Sequence, residues 1–254
     1  MIYITGDCHG NWNRFSTDAF PEQKDLTRND FVIVCGDFGL WHDTKSEHWW
    51  LDWLEDKNFT ILFADGNHEN FDRLYNSNEF EVVDFYGGKA HKIRENVYHL
   101  IRGHIFTLND TKIFAFGGAS SHDIDDGVLD ENDFVSKKEF DETRVRLNLQ
   151  RKLFRINHET WWKEEMPSEE EMKFGFDNLT DYDNKVDFIV SHCAPQSIAS
   201  QISMGEYKPD ELTKYFDYIK DNTEYKKWFF GHYHMDKAVD AEHIALYYNI
   251  VRIA

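Results

Sequence analysis

The chain has 254 residues, 41% hydrophobic and 16% aromatic, ample apolar material for one large domain or two small ones. Its 47 acidic and 28 basic residues leave a formal net charge of −19, which argues against a protein that grips long nucleic acid by its phosphates, because that affinity needs basic surfaces. No stretch is apolar for the roughly twenty residues of a membrane span, and three cysteines at unrelated spacings give no disulfide framework.

In chain order, the first predicted element is a strand over Met1–Thr5. Opening on a strand whose end carries polar motif residues is unlike a cleavable signal peptide. Next come a helical run after Asn11, a strand over Phe31–Cys35 and a Trp-rich helix over Thr44–Lys57. Trp49, Trp50 and Trp53 of that helix are spaced to pack. A strand over Thr60–Ala64 and a short helix after Glu69 follow. This alternation is the rhythm of a layered sheet with helices outside. Val97–Leu100, Ile105–Leu108 and Thr111–Phe116 read as consecutive strands, with Asn109-Asp110 turning a hairpin and Gly117-Gly118 ending the run. Residues 125–183 are highly charged and mostly helical in propensity, an insertion within a single domain spanning 1–254. Beyond it come a strand over Val186–Val190, a helix over Asp210–Asp221, a strand over Trp228–Gly231 and a closing strand over Ala245–Ile253.

Five short segments sit at or just after strand-like runs: Gly6-Asp7-Cys8-His9-Gly10, Gly36-Asp37, Gly66-Asn67-His68-Glu69, Ser191-His192 and Gly231-His232-Tyr233-His234. Strand ends on one sheet edge converge on a crevice, where open α/β proteins place their chemistry. Mixed Asp, His and Asn donors suit borderline or hard divalent ions such as Mn, Fe or Zn. Taken singly, Asp7 and Asp37 read as caps or turn residues and His192 as a buried histidine. Taken together, they would need several independent coincidences. Cys8, Cys35 and Cys193 each adjoin a candidate ligand and read as small buried thiols, which fits a reducing cytoplasm.

The ordered pattern Asp-x-His-Gly, Gly-Asp, Gly-Asn-His-Glu, His, Gly-His-x-His resembles the calcineurin-like metallophosphoesterases from Met1 to about His234. The resemblance implies an α/β four-layer sandwich of two mixed β-sheets flanked by helices. It also implies a binuclear metal-dependent phosphoester hydrolase. Two cations about 3.5–4 Å apart would neutralise phosphoryl oxygens and deprotonate a bridging water that attacks phosphorus. A bridging ligand needs two oxygens, and the resemblance gives that place to Asp37. It puts Asp7, His9 and His234 on one metal and Asn67, His192 and His232 on the other. His68, beside a ligand but assigned to neither metal, is the expected general acid.

Gly36-Asp37-Phe38-Gly39-Leu40-Trp41-His42 departs from the protein Ser/Thr phosphatases of the superfamily. Leu40 stands where they orient the catalytic histidine with a carboxylate, and Trp41 and Phe71 stand where they clamp phosphate with arginines. A guanidinium clamp is not replaced by an aromatic ring, so the expected activity is a phosphodiesterase on small organic or nucleotide substrates. Gly117 to Asp123 and Trp161 to Glu170 are similar to a subgroup of small bacterial and phage metallophosphoesterases. His122 lies on a glycine-rich strand exit that could reach over the metals, though a plain turn reads equally well. Arg144, Arg151 and Arg155, seven and four apart, would share a helix face. These four are candidate substrate-binding residues, against a plainer reading of the arginines as a solvated charged face. Trp161 and Trp162 read as core beneath the insertion. The alternatives are a nuclease on single-stranded nucleic acid, a phosphomonoesterase and, last, a non-catalytic adaptor. The expected partner is a small phosphorylated substrate, with no membrane and the oligomeric state open.

Overall fold

The computed structural model describes residues 1–254. Strands β1 (Ile2–Thr5) and β2 (Phe31–Val34) are runs of mainly β-branched and aromatic residues, buried along their whole length. Helix α1 (Lys45–Glu55), capped by the Thr44 side chain, leads to the equally buried β3 (Thr60–Phe63). Strands covered on both faces read this way because neither face meets water. A hairpin of β4 (Glu81–Phe85) and β5 (Gly88–Arg94) comes next, then β6 (Val97–Leu100) and a second hairpin, β7 (His104–Leu108) with β8 (Thr111–Phe116). The charged segment holds β9 (Val128–Leu129), α2 (Lys137–Leu149), β10 (Arg155–Ile156) and α3 (Glu169–Asp181). The remainder is β11 (Phe188–Ser191), α4 (Gln196–Ser203), α5 (Glu211–Asn222), β12 (Lys227–Phe230), β13 (Lys237–Ala238), β14 (His243–Ala245) and β15 (Val251–Arg252).

Two mixed sheets result, one in the order β15-β1-β2-β3-β6-β5-β4 and one in the order β13-β14-β12-β11-β8-β7. The middle strands of each are parallel and the edges antiparallel. Side-chain alternation divides the core. Ile2, Ile4, Phe31 and Ile33 meet Ile113, Ala115, Val190 and Phe229 between the sheets. Tyr3, Val32 and Val34 face outward onto Leu51 and Leu54 of α1, while Phe114, Phe116 and Trp228 face Leu212, Phe216 and Ile219 of α5. The fold is therefore an α/β sandwich of helix, sheet, sheet and helix. No helix is long and apolar enough to cross a membrane.

Several local expectations need correction. The run after Asn11 is not an α-helix but two tight 3₁₀ turns, Trp12–Phe15 and Pro21–Asp25, which bury Trp12, Phe15 and Phe20. The short helix after Glu69 is a single wide turn, Asp72–Asn76. The hairpin over 81–94 was not anticipated: Tyr86 and Gly87 both take positive φ at its turn, and β4 is too exposed to show clean alternation. The stretch 245–253 is not one strand, since β14 and β15 belong to different sheets. Helix α4 was also missed. Trp49 is 58% exposed and lies edge-on to Trp50, ring centroids 4.9 Å apart, whereas Trp50 and Trp53 lie against the core. The charged segment is only partly helical, with two helices of 13 residues separated by irregular chain and the small β9–β10 pair. Helix α2 ends at Leu149, so Arg151 and Arg155 share no face with Arg144.

Candidate metal centre

The parallel strands all end at the same edge, and each polar motif lies within four residues of a strand end. Asp7 follows β1, Asp37 β2, Asn67 β3, His192 β11 and His232 β12. Backbone N–H groups from one loop fix the carboxylate of another. Asp7 accepts from the His232 N–H at 3.0 and 3.1 Å, and Asp37 Oδ1 from the His68 N–H at 2.8 Å. His9, Asp37, His232 and His234 all take positive φ, between 47° and 66°, a costly conformation for side chains that clusters at functional sites. Two glycines let the loops close: a Cβ on Gly66 would lie 2.1 Å from Asp37 Oδ1, and one on Gly231 2.0 Å from Asp7 Oδ1.

Around Asp7, its Oδ2 lies 3.3 Å from His234 Nε2 and 3.6 Å from His9 Nε2, and these two nitrogens are 3.0 Å apart. Around Asp37, its Oδ2 lies 3.3 Å from His192 Nε2 and 3.7 Å from His9 Nδ1. Asn67 Oδ1 is 3.3 Å from the same His192 nitrogen. The other His192 nitrogen, Nδ1, donates to the Cys35 carbonyl at 2.8 Å, which turns Nε2 toward the cluster. Ligand-type atoms fall into three overlapping triads: Asp7, His9, His234; His9, Asp37, His68; and Asp7, Asp37, His192. His232 stands outside these triads. Its ring lies against His192, centroids 4.9 Å apart, and its Nε2 faces His122 Nε2 at 2.9 Å.

Both carboxylates are buried, and their ion-pair partners are histidines alone. Burial pushes the Asp7 carboxyl up, but His234 and His9 outweigh it and hold it at about 2. Burial also raises Asp37, and His192 overrides it, holding Asp37 well below the carboxylate range. Burial drops His232 to about 3, with His192 and His122 adding to the effect. Two ionised carboxylates, imidazole nitrogens and one amide oxygen, with no lysine or arginine paired to either carboxylate, fit a borderline divalent cation once the imidazoles give up their protons.

The His68 ring sits between His9 and Trp41, centroids 5.2 and 5.7 Å away. Its pKa is lowered, first by burial and then by Arg155, with Asp37 opposing. Of the predicted substrate-binding residues, His122 joins the cluster through His232. Arg155 binds Asp123 with both Nε and Nη2, at 2.8 and 2.6 Å. Arg144 pairs with Glu159 at the surface, and Arg151 follows α2 in left-handed backbone; neither touches the cluster. Trp162 is buried, and its indole N–H donates to Asp72.

Sequence reasoning missed three supports. Glu69 gathers the N–H groups of Phe38, Gly39 and Leu40 and so shapes the loop after Asp37; its place in Gly-Asn-His-Glu was a signal. Arg14 ties the β1 exit to Tyr247 through the Gly6, Asp7 and Tyr247 carbonyls. Glu165 binds Ser121, and nothing local in the sequence announced it.

A family model described as calcineurin-like phosphoesterase matches residues 1–236. No curated protein matches the chain.

Proposed function

Because the chain belongs to the calcineurin-like phosphoesterases, whose activity is metal-dependent phosphoester hydrolysis, we propose that it is a two-metal phosphodiesterase on small organic or nucleotide substrates. The observation that carries this reading is the place of Asp37 Oδ2, 3.7 Å from His9 Nδ1 of one ligand set and 3.3 Å from His192 Nε2 of the other. Asp7, His9 and His234 would hold one ion, Asn67, His192 and His232 the second, with Asp37 shared. When bound, such ions withdraw charge from the phosphoryl oxygens and lower the pKa of water.

The chain's own groups divide the remaining work. The His68 main chain is pinned to Asp37, and His9 and Trp41 flank its ring, so the imidazole is held at the cluster's rim. Burial makes its imidazolium a stronger acid. The attacking water gives up one proton to solvent as its oxygen bonds to phosphorus, and as the ester P–O bond breaks a His68 ring nitrogen gives its proton to the departing oxygen. Trp41 and Phe71, at the places of the phosphatases' two clamping arginines, favour a diester. Arg155, the guanidinium whose charge His68 feels, is already held by Asp123, and a monoester dianion needs such a clamp. The net charge of −19 favours a small substrate over long nucleic acid. Three buried unpaired thiols support a reducing cytoplasm.

The test is a panel of monoesters, cyclic nucleotides, linear diesters and dinucleotide polyphosphates, with protein reloaded with Mn. Diesters should be cleaved best. His68→Ala should lose about 10²- to 10⁴-fold on alkyl leaving groups and less on nitrophenyl ones. Efficient monoester hydrolysis with diesters untouched would overturn the proposal.

A further inference from the structure

Resting on the two-metal reading above, we infer that Glu165 and Ser121 are positioning residues that decide which end of the Asn67 amide faces the metals. An asparagine binds a cation through its oxygen only, yet its two orientations have nearly the same shape, so packing does not choose between them. Hydrogen bonding does. The Ser121 N–H donates to Glu165 Oε1 at 2.8 Å and the Ser121 hydroxyl to Oε2 at 2.7 Å. Burial raises the Glu165 carboxyl to about 7; above that pH it is ionised and only accepts, so the hydroxyl proton is committed to Glu165. The Ser121 oxygen is then left to accept, and the Asn67 Nδ2 group meets it at 3.4 Å. That leaves Asn67 Oδ1 turned the other way, beside His192 Nε2. Glu165, Ser121 and Asn67 are 2%, 5% and 6% exposed, so water does not offer substitute partners.

The carboxylate comes from the charged segment, 44 residues beyond Ser121. The Ala119 N–H holds the Glu165 carbonyl at 3.2 Å, and the Arg102 guanidinium holds the carbonyl of Glu164 at 2.8 Å. The charged insertion thus reaches the ligand set through Ser121. Glu165→Gln tests the direction of the relay rather than its presence. The new amide oxygen can still accept from the Ser121 N–H, but its NH₂ now donates to the hydroxyl oxygen. The hydroxyl proton is freed toward Asn67, which favours the reversed amide.

The experiment is Mn titration by calorimetry at pH 8 on the full chain, with folding checked by circular dichroism and Tm. Four proteins are compared: wild type, Glu165→Gln, Ser121→Ala and Asn67→Ala. Wild type should bind two ions, and Asn67→Ala should identify the event that depends on Asn67. Glu165→Gln should weaken that same event about tenfold or more and leave the other unchanged. Ser121→Ala should weaken it less, because the amide is left undirected rather than reversed. Folded variants of both kinds that keep the wild-type affinity for both ions, while Asn67→Ala loses one, would overturn the inference alone. Wild-type protein that binds no Mn would overturn it together with the two-metal reading.

Discussion

Gly231 has no room for a side chain, since a Cβ there would meet Asp7 Oδ1 at 2.0 Å and the Cys35 carbonyl oxygen at 2.7 Å. Asp7 cannot yield, because it is buried and clasped by the His232 N–H. Gly231→Ala should therefore cost about 1–3 kcal/mol in denaturant unfolding and lower Mn occupancy; wild-type values for both would refute the packing argument. His192 makes a second prediction. Burial alone would lower its pKa, but Asp37 beside it raises it to about 10 in the metal-free protein. Its proton adds stability that is fully present below pH 6.5 and lost as pH rises through about 10. A metal needs the neutral imidazole, so binding must displace that proton. Mn affinity should rise between pH 6 and 8, by about tenfold per unit for each proton displaced. Calorimetry in buffers of different ionisation enthalpy would count the protons, and an affinity flat with pH would contradict the assignment.

One device ties elements to one another and another closes a single helix end, and their magnitudes differ. Arg102, between β6 and β7, is buried against Asp65 at the exit of β3, and His99 Nε2 shares that carboxylate at 3.0 Å. The same guanidinium reaches the Glu164 carbonyl, joining the first sheet to the charged segment. Burial raises the Asp65 carboxyl, but Arg102 outweighs it and keeps it ionised. Arg102→Ala would strand that charge, at about 3–5 kcal/mol. Helix α3 begins with a capping box in which Ser168 and Glu171 satisfy each other's main chain. Ser168→Ala should cost about 1 kcal/mol. Urea unfolding that gave Arg102→Ala no larger loss than Ser168→Ala would show that the buried pair does not tie these elements together.

Across the whole molecule, the cluster is assembled from loops of both sheets: Asp7, Asp37 and Asn67 come from one, and His192, His232 and His234 from the other. The sequence by itself determined the strands that are covered on both faces, because the buried stretches of β1, β2, β3, β8, β11 and β12 are predominantly apolar runs. It also determined the polar motifs at their ends, since the donor types and the glycines beside them are local properties of the chain. Strand β4 has exposed residues on both faces and so shows no alternation, and the turns after Asn11 bury Trp12 and Phe15 without a strand or helix period, which is why neither the hairpin over 81–94 nor those turns were legible. Only the tertiary structure decided that His122 meets His232 across 110 residues, that Arg155 is held by Asp123, and that Glu165 binds Ser121. Those pairings depend on how two sheets and an insertion pack, and a hydrogen bond between residues distant in sequence leaves no periodicity in the chain to read.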